Sequence, residues 1–377
     1  MAKGEGIRRT RASLLSGCGR EPVDGAALLD EITAIFQKHL VMSEEEAIIA
    51  ALWCIFAHAH NCFEHSPILA FLSAVYGSGK STAMGVVGGL TRSKLVSHAT
   101  PAVIFRFTDK HPNVVLGLDE GENYITRDNR DLVTVLDSGH KRTNASIGRC
   151  VGNDFEPQDF STWGPKVIAR VCDRRSGDLP PSLQQRSIPI RLKKKLPTEK
   201  VEDFTSTDMK GLKNEQAKKI ARWTYDHRAE LKAASPEIPP CLYNRARDNW
   251  KPLLAIAELA GGEWPQRARR AAERINGEVE DTTESVMLLK DCKLAFEGKT
   301  RLKSQELCSS LNKLETRPWC EMRYGEGIDP RGLGKMLAGF GIKSDDIRFE
   351  DGVKKGFERA QFEDVWARHL LPGDGGG

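Results

Sequence analysis

Apolar residues along the chain follow two spacings. Residues 67–75 (PILAFLSAV) are almost unbroken apolar, and residues 113–118 (NVVLGL) and 165–171 (PKVIARV) are shorter runs of the same kind. Such runs predict strands covered on both faces of a parallel sheet. Residues 187–192 (SIPIRL) predict a last sheet strand, and 145–151 with 155–163 predict a hairpin inserted before 165–171. Elsewhere the spacing is helical. Ser43-Glu44-Glu45-Glu46 reads as a capping box. Ile48, Ile49, Leu52, Trp53, Ile55 and Phe56 then give one wide apolar helix face. Residues 129–138 predict a short helix.

The stretch just after the first strand run turns the picture from architecture to chemistry. It reads Gly77-Ser78-Gly79-Lys80-Ser81-Thr82. Glycines let successive N–H groups converge on one anion. Lys80 supplies a point charge for outer phosphates, and the Ser81 hydroxyl is placed to ligate Mg²⁺. The full pattern G-x-x-x-x-G-K-[ST] asks for glycine at position 74, where this chain has Ala74. Alone, the stretch also fits an ordinary strand-turn-helix. The second run supplies the missing partner, because it ends in Asp119-Glu120. An acid at the tip of a strand neighbouring the cradle strand can hold the Mg²⁺ shell, and the next acid can orient or deprotonate an attacking water. The pair favours hydrolysis over transfer to another acceptor.

Further basic residues extend the candidate site. Lys141, Arg142 and Arg149 lie in and around the expected hairpin, either projecting into a pore or forming a solvated turn. Arg186 sits just before the last strand, at the sheet edge, where a neighbouring subunit's nucleotide would find it; Arg174 and Arg175 compete for that role. Lys193-Lys194-Lys195 reads as a solvated strand exit rather than a DNA contact.

These segments bear a resemblance. FRFTDKHPNVVLGLDEGENY, LDSGHKR, FSTWGPKVIARV and LPPSLQQRSIPIRLKKK are similar to the AAA+ branch of P-loop ATPases. Within it they resemble an incompletely characterised ATPase family of phage, plasmid and integrated-element replication proteins, over about residues 23–371. The resemblance implies an α/β three-layer sandwich with a parallel central sheet, a helical lid and a C-terminal winged-helix domain. It gives Gly77, Ser78, Gly79, Lys80, Ser81 and Thr82 the Walker A role for ATP, with Mg²⁺ on Ser81 and Asp119. Glu120 becomes the Walker B base and Arg186 a finger acting in trans; Arg170 is a weak candidate for the polar sensor. It further implies a ring, a hexamer by expectation, working on single-stranded or forked DNA. Members often follow a primase or TOPRIM module; with about sixty residues before the cradle, a free-standing ATPase is the expectation.

The flanks divide accordingly: 1–40 as an N-terminal extension, 41–197 the ATPase core, 198–278 the lid, 279–371 the winged helix and 372–377 a disordered tail. Residues 196–210 look like a polar linker and 214–231 like one helix. Arg245 opens a lid helix as the candidate sensor-2 arginine over the γ-phosphate, with Arg247 as alternative and an ion pair to Asp248 or a neighbouring acid as the structural reading. In the winged helix, Arg331 and Lys335 would face DNA from the recognition helix and Lys354 and Lys355 from the wing, although many such domains bind proteins instead.

Composition excludes other classes more than it selects one. Fifty-six Lys+Arg against fifty-two Asp+Glu give a formal net charge of +4, too mild to demand nucleic acid. Nine cysteines without a CxxC indicate neither a zinc ribbon nor a disulfide framework. His58, His60, Cys62 and His65 cluster at a helix end, but residues two apart point to opposite sides, so a metal is not expected there. The basic start lacks the apolar core of a secretory signal, and no apolar run approaches the roughly 20 residues of a membrane span. The expectation is a soluble cytoplasmic protein: a DNA-dependent motor of a mobile element or, alternatively, a nucleotide-switched regulatory or defence ATPase acting on a protein. A small-molecule kinase is disfavoured by Asp119-Glu120.

Overall fold

A computed structural model describes residues 22–152, 154–172, 179–282, 284–314 and 317–370. It divides into two compact units, Met1–Asn276 and Gly277–Gly377. The candidate residues Arg174 and Arg175 and the C-terminal tail lie outside the described residues.

The described part of the first unit begins with helices α1 (Gly25–His39) and α2 (Glu44–Ala59). The capping box before α2 forms as the sequence predicts. Ser43 Oγ accepts from Glu46 N–H, and the Glu46 carboxylate accepts from Ser43 N–H. Trp53, fully buried, donates its indole N–H to the Pro67 carbonyl at 2.9 Å, tying α2 to the entry of the first strand.

Next come β1 (Ile68–Ser73), α3 (Lys80–Leu90), β2 (Ser93–Val96), α4 (Pro101–Lys110), β3 (Val115–Leu118), α5 (Arg130–Ser138), β4 (Ser146–Val151), β5 (Glu156–Ser161), β6 (Lys166–Val171), α6 (Pro181–Gln184) and β7 (Ser187–Arg191). Five strands make one parallel sheet in the order β2-β3-β6-β1-β7. Strand residues alternate between its faces. Ile68, Ala70 and Leu72 join Ile104, Leu132, Leu136 and Leu183 of α4, α5 and α6 on one face. On the other, Met84 of α3 packs over Gly117 beside Val167. The chain is therefore a mixed α/β protein with helices flanking a parallel sheet.

The strand order departs from the expected one at the cradle. The strand ending in Asp119 is not the neighbour of the cradle strand, because β6 lies between them. At about 4.8 Å per strand, that insertion opens roughly 10 Å between the ends of β1 and β3.

The helical segment after the sheet also differs. It comprises α7 (Ser206–Asn214), α8 (Gln216–Asp226), α9 (Arg228–Ala233), α10 (Asn244–Ala260) and α11 (Trp264–Thr282). Residues 206–210 are helical rather than linker, and the single helix expected over 214–231 is broken after Asn214 and Asp226. α7 closes on three glycines of α3: a Cβ at Gly85 would meet Phe204, one at Gly88 would reach Met209, and one at Gly89 would meet Leu212.

The second unit holds α12 (Glu284–Ala295), β8 (Arg301–Lys303), α13 (Ser304–Asn312), α14 (Met322–Gly325), α15 (Pro330–Ala338), β9 (Asp345–Phe349), β10 (Gly352–Glu358) and α16 (Ala360–His369). An antiparallel three-stranded sheet runs β8-β10-β9. Its own core gathers Leu288, Phe296, Leu307, Trp319, Leu333, Phe357, Phe362 and Trp366. Among the described residues no helix is long and apolar enough to cross a membrane.

Candidate active site

Ligands bind at the carboxyl ends of strands in parallel α/β sheets. A cleft of about 690 Å³ opens there, lined by residues 76–82, Asp119, Glu120, Glu122 and Asn123. His39, Leu40 and Val41 close one side, with Lys193, Lys195 and residues 201–204.

The loop after β1 is built as its glycines require. Gly77 and Gly79 both have left-handed backbones, with φ of 75° and 85°. Gly79 caps α3, so the helix begins at Lys80 with its positive end facing the cleft. Ala74 needs no such conformation: it is not among the positive-φ residues, so the departure from the full pattern strains nothing. Ser78 Oγ donates to the Val75 carbonyl at 2.7 Å, closing the loop on itself.

Lys80 Nζ donates to Ser73 Oγ at 2.7 Å and lies 5.8 Å from the centre of the Tyr76 ring. Partial burial pushes its pKa below the usual lysine value, while Glu122 and then Asp119 oppose the shift. The amine therefore sits among carboxylates across the cleft. Asp119 ends β3; its Oδ1 accepts from Glu120 N–H at 2.9 Å and its carbonyl accepts from the Tyr124 hydroxyl. Burial and then the nearby carboxylates Asp119, Glu120 and Glu122 push the Tyr124 hydroxyl pKa up. Glu120 adopts a left-handed backbone (φ 53°), which turns the chain out of the sheet and leaves its side chain exposed. Asn123 Nδ2 donates to Glu120 Oε2 at 3.4 Å.

Sequence reasoning missed Glu122. Its Oε2 accepts from Val171 N–H at 3.0 Å, linking the turn after β3 to the end of β6, and it shares the cleft with Lys80. The available signal is the spacing Asp119-Glu120-x-Glu122 across a tight turn. Lys193 and Lys195, expected in a solvated strand exit, are exposed and also line the cleft.

Hard oxygen donors of Ser81 and Asp119 on the two sides of the cleft fit a Mg²⁺ ion that keeps several waters. Among the described residues no cluster of three or more His, Cys, Asp and Glu could hold a metal by itself. His58, His60 and Cys62 are instead engaged with the carbonyls of Leu90, Ala57 and Arg228.

The remaining candidates are not in the cleft. Arg186 sits at the opposite end of the sheet: its carbonyl accepts from Ile68 N–H at the start of β1, whereas Lys80 meets Ser73 at the finish. Its guanidinium donates to the Ser182 carbonyl at 2.7 Å and lies 3.3 Å from Asp137. Arg245 is there too, donating to Gln185 Oε1 at 2.9 Å. It does not lean over the cleft of its own chain. Nor does it pair with Asp248, whose carboxylate lies 3.6 Å from His65. Arg170 is buried in β6 and donates to the Ile125 carbonyl, behind the cleft rather than in it.

Of the three basic residues expected around the hairpin, only Arg149 is carried by β4–β5; it leans over the Phe105 ring at 5.9 Å. Lys141 and Arg142 stay at its foot. The Lys141 backbone pairs with that of His65 in an isolated antiparallel bridge, and Arg142 donates to the Asn61 carbonyl at 2.8 Å and covers Trp163. In the second unit, Arg331, Lys335, Lys354 and Lys355 lie at or near the surface, and Lys355 is paired with Asp346 at 3.1 Å.

Comparison with known proteins adds a family match and one curated relative. Residues 191–369 match a family model described as a protein of unknown function (DUF3631). An uncharacterised 28.9 kDa protein in the xis 5′ region of Saccharopolyspora erythraea is 40% identical over 158 residues, 41% of this chain. The match spans 59% of that relative's length. Two structures of the NrS-1 C-terminal region superpose on 92% of the chain at 11% identity. They cover 78% and 77% of those chains, with TM-scores of 0.45 and 0.39.

Proposed function

We propose that the first unit binds and hydrolyses a nucleoside triphosphate, ATP by the resemblance, in the cleft between residues 77–82 and 119–123. One observation carries this reading: the Lys80 amine and the glycine-loop amides face the Asp119, Glu120 and Glu122 carboxylates across one cleft at the carboxyl ends of β1 and β3. A cradle alone would hold any anion. Opposed carboxylates would repel that anion unless a cation comes with it, as it does with a magnesium nucleotide.

In this reading the loop amides and Lys80 grip the phosphates, displacing Lys80 from Ser73. Ser81 and Asp119 would hold Mg²⁺, which neutralises phosphate charge when bound. Glu120, solvent-facing and steadied by Asn123, accepts the proton of the attacking water. The sheet with β6 inserted between β1 and β3, flanked by helices, supports a P-loop sandwich of the AAA+ kind.

For the work done with the nucleotide, the first reading is a helicase-like motor of a mobile element, assembled as a ring on DNA. The resemblance supports it, as does the relative's place in the xis 5′ region. The second reading, a regulatory ATPase with a protein partner, draws on charge. Residues 277–377 carry sixteen Lys+Arg against nineteen Asp+Glu, so the basic excess belongs to the first unit. The β9–β10 hairpin sets Asp345, Asp346, Glu350 and Asp351 among Arg348, Lys354 and Lys355. If the second unit is a winged helix, this surface suits a protein better than a phosphate backbone.

Phosphate release from ATP, with and without single-stranded or forked DNA, tests both parts. Lys80→Ala abolishes turnover. Glu120→Gln keeps nucleotide binding but slows hydrolysis by on the order of 10²-fold or more. Normal hydrolysis by Glu120→Gln removes Glu120 as the base. Turnover insensitive to every DNA leaves the protein-partner reading standing.

A further inference from the structure

Two arginines lie near one another at the amino end of the sheet, Arg186 itself and Arg245, which donates to Oε1 of the adjacent Gln185 at 2.9 Å. Arg186, just before β7, lies 3.3 Å from the half-buried Asp137, and the charge of Arg245, in the first turn of α10, acts on the same carboxylate. Their mutual influence is unfavourable, and Asp137 can neutralise only one of them. Burial, first, and then Arg245 lower the Arg186 pKa, against the attraction of Asp137. Tyr243, the N-cap residue of α10, makes no side-chain cap hydrogen bond, and the positive end of the helix adds to the same locus. The cluster is held rigidly. Asn249, one turn along α10, donates to the Gln185 carbonyl at 3.0 Å and meets His140 Nε2 at 2.7 Å.

Such a cluster calls for an anion, but it cannot reach the cleft of its own chain. β7 runs parallel to β1, with Ser187 beside Ile68 and Arg191 beside Leu72. The cluster and Lys80 therefore lie at opposite ends of a strand about 16 Å long, beyond the reach of an arginine side chain.

We propose that Arg245 acts together with Arg186, in trans, on the triphosphate held in the cleft of a second copy of this chain. The inference rests on the nucleotide reading above and changes the role which that reading assigns to Arg245: the residue serves the neighbour's γ-phosphate, not its own. Arg186 and Arg245 then form a paired clamp, with Asp137 holding the first and Gln185 the second until the neighbour's phosphates draw them away. Planar guanidinium groups suit the equatorial oxygens of a transferring phosphoryl group.

Mixing variants decides it. Arg245→Ala alone loses turnover by at least ~10²-fold, while its affinity for a fluorescent ATP analogue stays within about threefold of wild type. An equal mixture with Lys80→Ala recovers about a quarter of wild-type turnover, since random neighbours pair an intact cleft with intact arginines at about that frequency. Arg245→Gln, which retains a donor for Gln185, gives the same pattern and guards against a folding defect. Normal turnover by both variants overturns the inference. So does a loss of nucleotide affinity that mixing does not rescue, which would place Arg245 in its own cleft. Wild-type protein that neither binds nor hydrolyses nucleotide removes the nucleotide reading itself, and the inference with it.

Discussion

Gly79 shows how much a single position in the cradle is asked to do. Its φ of 85° lies in the left-handed region, and a Cβ there would come within 2.8 Å of Leu40 Cδ2. Gly77 has a φ of 75° but nothing within 4 Å of the same point. The two glycines therefore separate backbone strain from crowding. Gly77→Ala costs about 1–2 kcal/mol of backbone strain. Gly79→Ala costs more and also moves Leu40, which lines the cleft. Thermal unfolding and nucleotide titration of the two variants should rank them in that order, with Gly79→Ala the weaker binder. Equal effects would mean that Leu40 yields freely. The loop's sequence already announced these glycines. It could not announce Glu122, because only the turn of residues 121–123 brings that carboxylate back to Val171 and beside Lys80.

At the scale of elements, the end of β6 is clamped to the turn that carries the acids. Glu122 holds Val171 from one side, and the buried Arg170 holds the Ile125 carbonyl from the other. Arg170 is thus a positioning residue, acting through the turn. Arg170→Met should lower stability by about 1.5–3 kcal/mol, the worth of hydrogen bonds to a charged group. It should reduce the turnover number more than nucleotide affinity, since the loop after β1 is untouched. Denaturant midpoints with turnover and binding measured side by side would check this; an affinity loss as large as the rate loss would refute it. The periodicity of the core strands was legible because each is buried on both faces. α7 was not, because it presents little more than Met209 and Leu212 to the glycines of α3, too few to stand out in a polar stretch.

The whole molecule carries buried titratable groups that set its pH response. Burial lowers His140 to about 4, opposed by the hydrogen bond with Asn249, and lowers His60 to about 4 as well. Burial likewise brings Lys166, bonded to the Thr162 and Gly164 carbonyls, down to about 7. In each case the unfolded chain binds the proton more tightly, so stability rises with pH between the folded and unfolded values. It should fall as pH drops from about 6.5 to 4 through the histidines. It should climb between about 7 and 10.4 through Lys166. Melting temperatures against pH should show the acid arm flattened in His140→Gln and the alkaline arm flattened in Lys166→Met. An unchanged acid arm in His140→Gln would show that this imidazole already titrates normally.

Local spacing and local backbone chemistry are enough to specify the parallel strands, the capped helix before them, the glycine loop with Lys80 and the acids closing β3. Which strands lie side by side emerges only once the chain is folded. Strand order arises from long-range pairing, and it inserted β6 between the cradle and Asp119. The same pairing sent Arg245 to the end of the sheet away from Lys80 and kept Lys141 and Arg142 at the hairpin's foot. A charged side chain looks alike in sequence whether it meets a phosphate, a carbonyl or a buried carboxylate, and packing alone chooses among them.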